Sequence, residues 1–79
     1  MVFIKEIRKN DRKAECVAFV EDSHEGVTVS YDFESSCLSD YTLPAGYEWC
    51  TSHMGYVRRY LASLKDMKQV PAEKKIVWY

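Results

Sequence analysis

The sequence predicts an α+β domain, a small antiparallel sheet of three to four strands in the order β-β-β-α-β with one amphipathic helix packed on one face. Three observations carry this expectation. One stretch, Thr51 to Met67, sustains a helical period; another, Gly26 to Phe33, alternates strictly; and the two candidate strands before it are joined by connections too short to hold a crossover helix.

Val2 to Arg8 is rich in β-branched and aromatic residues and runs into the polar cluster Lys9 to Lys13, where Asn10 and Asp11 favour a turn. Glu15 to Glu21 reads as the returning strand. Asp22 to Gly26 is then a short connection whose glycine can take a positive φ. In the third strand Val27, Val29, Tyr31 and Phe33 share one face, with Thr28, Ser30 and Asp32 on the other. Three such strands make a meander that leaves one face wet.

From Glu34 to Cys50 the period fails, and Ser, Asp, Pro44 and Gly46 predominate between Tyr41, Leu43, Tyr47 and Trp49. A loop of that length inside a compact domain is either functional or holds a short element, for which Tyr41 to Leu43 is the candidate. Its aromatic residues are expected to tether it; Tyr41, Tyr47, Trp49 and Tyr79 are candidates for partial exposure as interface anchors, against which core volume is the preferred reading for Trp49 and Trp78. In the helix, Met54, Val57, Leu61 and Leu64 form an apolar stripe with Tyr60 beside it, while Arg58, Arg59 and Lys65 make the opposite face basic. Thr51 or Ser52 is the expected N-cap, Lys65 and Lys68 suit the negative end of the dipole, and Pro71 forbids continuation. Gly55 inside the helix costs about 1 kcal/mol relative to alanine, a cost that close packing would explain. Lys74 to Tyr79, short, β-branched and aromatic, is read as a final strand on a sheet edge.

With 79 residues, 47% of them hydrophobic, residues 1–79 are expected to form a single domain with a modest core. The apolar run at the start is interrupted at Lys5, and no later stretch approaches bilayer-spanning length, so a cytoplasmic protein away from membranes is expected. Cys16, Cys37 and Cys50 are an odd number of thiols, expected to be reduced.

Charge is strongly segregated. Residues 1–13 sum to +3 and residues 58–79 to +4, whereas residues 14–57 hold no Lys or Arg and eight carboxylates, giving −8 there and −1 in total. The simpler account is internal pairing of these acids with the basic first strand and helix, each pair worth about 0–1 kcal/mol. The alternative is an acidic hairpin lobe that docks on a basic partner protein, with Glu21, Asp22, Glu25, Asp32 and Glu34 as binding residues and Tyr41 and Tyr47 as aromatic contacts. Such a lobe sets encounter rate and specificity. In size and charge distribution alone, the chain resembles small inhibitors encoded by phages and mobile elements, including anti-restriction and anti-CRISPR proteins. That resemblance implies inhibition of a nucleic-acid-binding protein by imitation of phosphate spacing.

Direct nucleic-acid binding through Lys5, Arg8, Lys9, Arg12, Lys13, Arg58 and Arg59 is not expected, because the chain has no net positive excess and no helix-turn-helix, RNA-recognition or zinc-finger signature. The alternative function is a metal or thiol site. Cys50 and His53 have a spacing from which one turn can supply two ligands, with Cys16, Cys37 or His24 to complete a set, but no second close pair accompanies them. Cys50 just before a helix is also where a lowered thiol pKa is expected. No phosphate loop, nucleotide fingerprint or nucleophile elbow is present, so neither catalysis nor a cofactor is expected. The wet sheet face and a free terminal strand are the surfaces through which a homodimer would form.

Overall fold

Strand β1 (Val2–Lys9) begins as the sequence predicts, with Val2 and Ile4 fully buried on the inner face. A bulge then changes its phase. Glu6 and Ile7 together oppose Cys16, between the pairs Lys5–Val17 and Arg8–Glu15, and Glu6 takes a φ of 53°. The shift returns Ile7 to the core, although two-residue alternation from Ile4 would have left it outside. The Ile7 amide donates to the Ala72 carbonyl at 3.1 Å.

The computed structural model, which describes residues 1–78, continues with β2 (Lys13–Val20), β3 (Val27–Asp32), β4 (Cys37–Leu38), helix α1 (Thr51–Ser63) and β5 (Lys74–Ile76). The five strands form one antiparallel sheet in the order β4-β3-β2-β1-β5. The α+β class therefore stands, with one strand more than the largest expected number. Tyr79 lies outside the described residues.

Turn chemistry explains the meander. Asn10 Oδ1 accepts from the amides of Arg12 (2.8 Å) and Lys13 (2.9 Å), closing β1 on β2. Asp32 Oδ1 accepts from Glu34 (2.8 Å) and Ser35 (3.0 Å), and the Ser36 amide donates to the Asp32 carbonyl at 2.8 Å, with Ser36 at a φ of 59°. This second turn creates β4 at Cys37–Leu38, inside the stretch read as loop; Tyr41 to Leu43 form no strand. Gly26 serves a purpose other than positive φ. A Cβ there would lie 2.4 Å from Val17 Cγ1, so the residue is small because β2's outer face crosses it.

Helix α1 lies over β1, β2 and β3, burying Met54, Val57 and Leu61, with Cys50 and Leu64 buried at its ends. The other face of the sheet is uncovered among the described residues and carries half-buried Phe3, Val17 and Phe19, with the Lys5 ammonium 5.2 Å from the Phe3 ring centre. Neither helix end follows the expected capping. Cys50 is the N-cap and makes no side-chain cap bond. At the other end the hydrogen bonds tighten, Leu64 to Leu61 at 3.1 Å and Met67 to Leu64 at 3.0 Å, so regular helix stops at Ser63, short of Met67. Lys9 of β1, rather than Lys65 or Lys68, neutralises the exposed carbonyls, donating to those of Leu64 (2.9 Å) and Lys65 (2.8 Å). Around a Cβ built on Gly55 there is nothing within 4 Å, so its cost in the helix is not offset by packing. The final strand is shorter than expected and pairs antiparallel with β1 through Val2–Ile76, Phe3–Lys75 and Ile4–Lys74.

Candidate functional site

The β2–β3 connection, the segment before α1 and the first turn of α1 meet at one end of the sheet. Glu21 organises this end. It follows β2 with a φ of 51°, a left-handed conformation uncommon outside glycine, and its amide donates to the Met1 carbonyl at 3.0 Å. Its carboxylate accepts from the terminal ammonium of Met1 and lies 2.9 Å from His53 Nε2. Two elements distant in sequence are thus tied to one side chain.

His53 is 6% exposed, and its Nδ1 has no hydrogen-bond partner among the described residues. Aromatic rings enclose the imidazole: Trp49 edge-on at 5.5 Å and Trp78 at 4.8 Å, with Trp78 in turn stacked on Tyr56 at 4.1 Å. Beside this cluster the Tyr47 hydroxyl donates to Asp22, docking the pre-helix segment on the connection. That bond raises the Tyr47 pKa above its ordinary value, with burial adding to it. A turn from Pro44 to Tyr47 (2.9 Å) with Gly46 at a φ of 87° delivers Tyr47 to this position.

The residues expected to bind a partner separate into two groups. Glu21, Asp22, Glu25 and Tyr47 stand at this end. Asp32 and Glu34 belong to the turn at the far end of β3, about 20 Å away at 3.3 Å per residue along its six residues. Asp32 is occupied in capping that turn, and Tyr41 is half-buried against the core. A single acidic lobe containing all seven does not form.

Internal pairing does not absorb the charge either. Lys13–Glu15, at 3.7 Å, is the only Lys or Arg at ion-pair distance from a carboxylate among the described residues. Glu25, Glu34, Asp40 and Glu48 are exposed with no such cation. Trp49, expected in the core, is 63% exposed, its Nε1 donating to the Gly46 carbonyl at 3.1 Å. It is a large exposed aromatic that the seven expected binding residues do not include. Its position beside Tyr47 and Glu48 was the available signal.

The metal and thiol residues disperse or close up. Among the described residues no three His, Cys, Asp or Glu side chains converge on a point. Cys16 and Cys50 are buried and Cys37 is exposed. Burial pushes the Cys16 thiol up to about 12. The Cys50 pKa is raised, first by burial and then by the nearby Glu21 carboxylate, which overturns the lowering expected at a helix start.

Glu21 and Asp32 give the domain an acid limit. Hydrogen bonds from the terminal ammonium and then from His53 hold the Glu21 carboxyl below its ordinary 4.5, and the amides of Ser35 and Glu34 hold Asp32 below 3.8. Folded-state values below the unfolded ones mean a contribution complete above the unfolded values and lost as pH falls through the folded ones. Urea midpoints should therefore decline from about pH 4.5 downward, and Glu21→Gln with Asp32→Asn should flatten that decline. An unaltered acid limb in the double variant would place its origin elsewhere.

Comparison with protein-family models, with curated proteins and with solved structures finds no match. Among the described residues no helix is long and apolar enough to cross a membrane.

Proposed function

We propose that this chain is a small non-enzymatic protein-interaction module whose acidic end, formed by the β2–β3 connection and the pre-helix segment, docks on a basic surface of another protein. Inhibition of a nucleic-acid-binding protein is the concrete version suggested by the charge distribution. The observation that carries the reading is Trp49, exposed in the same segment as Glu48 and packed beside the Glu21–His53 pair, at an end where Glu25 and Glu48 lack internal cations. A large aromatic anchor with carboxylates around it suits a cationic patch, since a Trp face attracts Lys and Arg while the acids guide encounter.

Glu25→Lys with Glu48→Lys tests this reading. Reversing Glu21 or Asp22 would also break the ties to Met1, His53 and Tyr47, so binding and folding would change together. Affinity capture from a lysate of the source cell at low and moderate salt should retain a basic protein on the wild type, lose it with the double reversal, and weaken it with salt. The same proteins captured by both versions, with equal thermal stability of the two, would refute the docking surface.

A further inference from the structure

We infer that the groove between α1 and β5 is a second docking surface, and that it takes an extended acidic peptide segment by strand addition. The groove has a volume of about 400 Å³; Tyr56, Arg59, Tyr60 and Ser63 line it from the helix, and Lys74, Lys75 and Ile76 from the strand, with Val77 just beyond it. Its charge is of one sign. Arg59, Lys74 and Lys75 are exposed, none of them lies at ion-pair distance from a carboxylate among the described residues, and no Asp or Glu lines the groove. Its wall is also a sheet edge. β5 ends the strand order, pairs with β1 on one side, and has no strand on the other among the described residues.

An extended peptide meets both features. Its main chain can pair with the free edge of β5, and its carboxylates can reach Lys74 and Lys75, which the pleat sends to alternate faces, and Arg59 across the groove. Stacked nucleobases fit less well, because the aromatic surface is already in use: Tyr56 stacks on Trp78 at 4.1 Å and has the Arg59 guanidinium 5.5 Å from its ring centre. An edge offering amides and carbonyls at strand spacing also matches a peptide backbone, not phosphates. The groove adjoins the acidic end, since Lys75 also lines a cavity with Glu21 and Asp22 and Tyr56 stacks on the Trp78 that packs against His53, but its role as a docking surface does not depend on the function proposed for that end.

The test is fluorescence anisotropy of the full chain titrated into a labelled peptide rich in Glu and Val, and separately into labelled oligo-dT. Saturable peptide binding is expected, weakened about tenfold or more by Lys74→Glu with Lys75→Glu and to a similar extent by N-methylation of alternate peptide amides. These lysines are exposed, so the variant should keep the wild-type melting temperature; if it does not, Arg59→Glu, on the wet face of α1, gives the same reading. No saturable binding, loss of charge dependence, indifference to N-methylation, or tighter binding of oligo-dT would each overturn strand addition by an acidic peptide. Light scattering that shows a dimer abolished by Lys74→Glu with Lys75→Glu would assign the groove to a second copy of the chain and overturn it equally.

Discussion

Leu61→Ala is expected to lower folding stability by about 2–5 kcal/mol, the range for emptying a fully buried leucine site. Leu61 is 0% exposed on the sheet-facing side of α1, one helical turn beyond Val57 and among the largest fully buried side chains. Apart from the two Lys9 bonds at its C-terminal end, the helix has little other support. Its N-cap makes no side-chain bond, its first turn has no acid, its last turn has no base, and Gly55 interrupts it. A helix of 13 residues is marginal by itself, so the apolar stripe holds it to the sheet. For a domain of this size the loss is a large share of a total of about 5–15 kcal/mol. Urea unfolding should show a lower midpoint with an unchanged slope, whereas Arg58→Ala on the wet face should stay within about 0.5 kcal/mol of wild type. A cost for Leu61→Ala below about 1 kcal/mol would mean that the sheet stands without its helical cover.

The difference between the elements that were legible in the sequence and those that were not is one of range. β3 was legible because Val27, Val29, Tyr31 and Phe33 keep one period against one buried face, and α1 because Met54, Val57, Leu61 and Leu64 keep another. Its stop at Ser63 depends partly on Lys9, 55 residues before the carbonyl it binds, which no local pattern reports. The bulge at Glu6 was hidden for a related reason: a one-residue change of phase inside a short apolar run leaves both readings of the run possible until a partner strand fixes the pairing. β4 has two residues, too few to show any period, and Asp32 creates it through the turn it caps. At the candidate site, the charge segregation was visible but its geometry was not. Glu21 and Asp32 stand at opposite ends of the sheet, while Asp22 and Tyr47, 25 residues apart, are in contact.

The second large effect is expected at Trp49. Hydrophobicity alone would place an indole of this size in the core, yet the Pro44–Tyr47 turn and the bond from Nε1 to the Gly46 carbonyl hold the ring outward, and His53 occupies the inner position. The exposed ring is therefore fixed before any partner arrives, which reduces the entropy lost on binding. Central aromatic anchors of this kind cost about 2 kcal/mol or more when truncated, so Trp49→Ala should weaken binding of the captured basic partner by about 30-fold or more. Removing the ring also uncovers the edge of His53 that it shields. Trp49→Phe separates the two roles, because it keeps an aromatic edge toward His53 while losing the N–H and part of the contact area. Binding by Trp49→Phe should fall between wild type and Trp49→Ala, with all three proteins melting within a few degrees of one another. Equal affinities across the three would show that the exposure of Trp49 follows from the path of the pre-helix segment, and the docking surface would then have to be sought among the carboxylates alone.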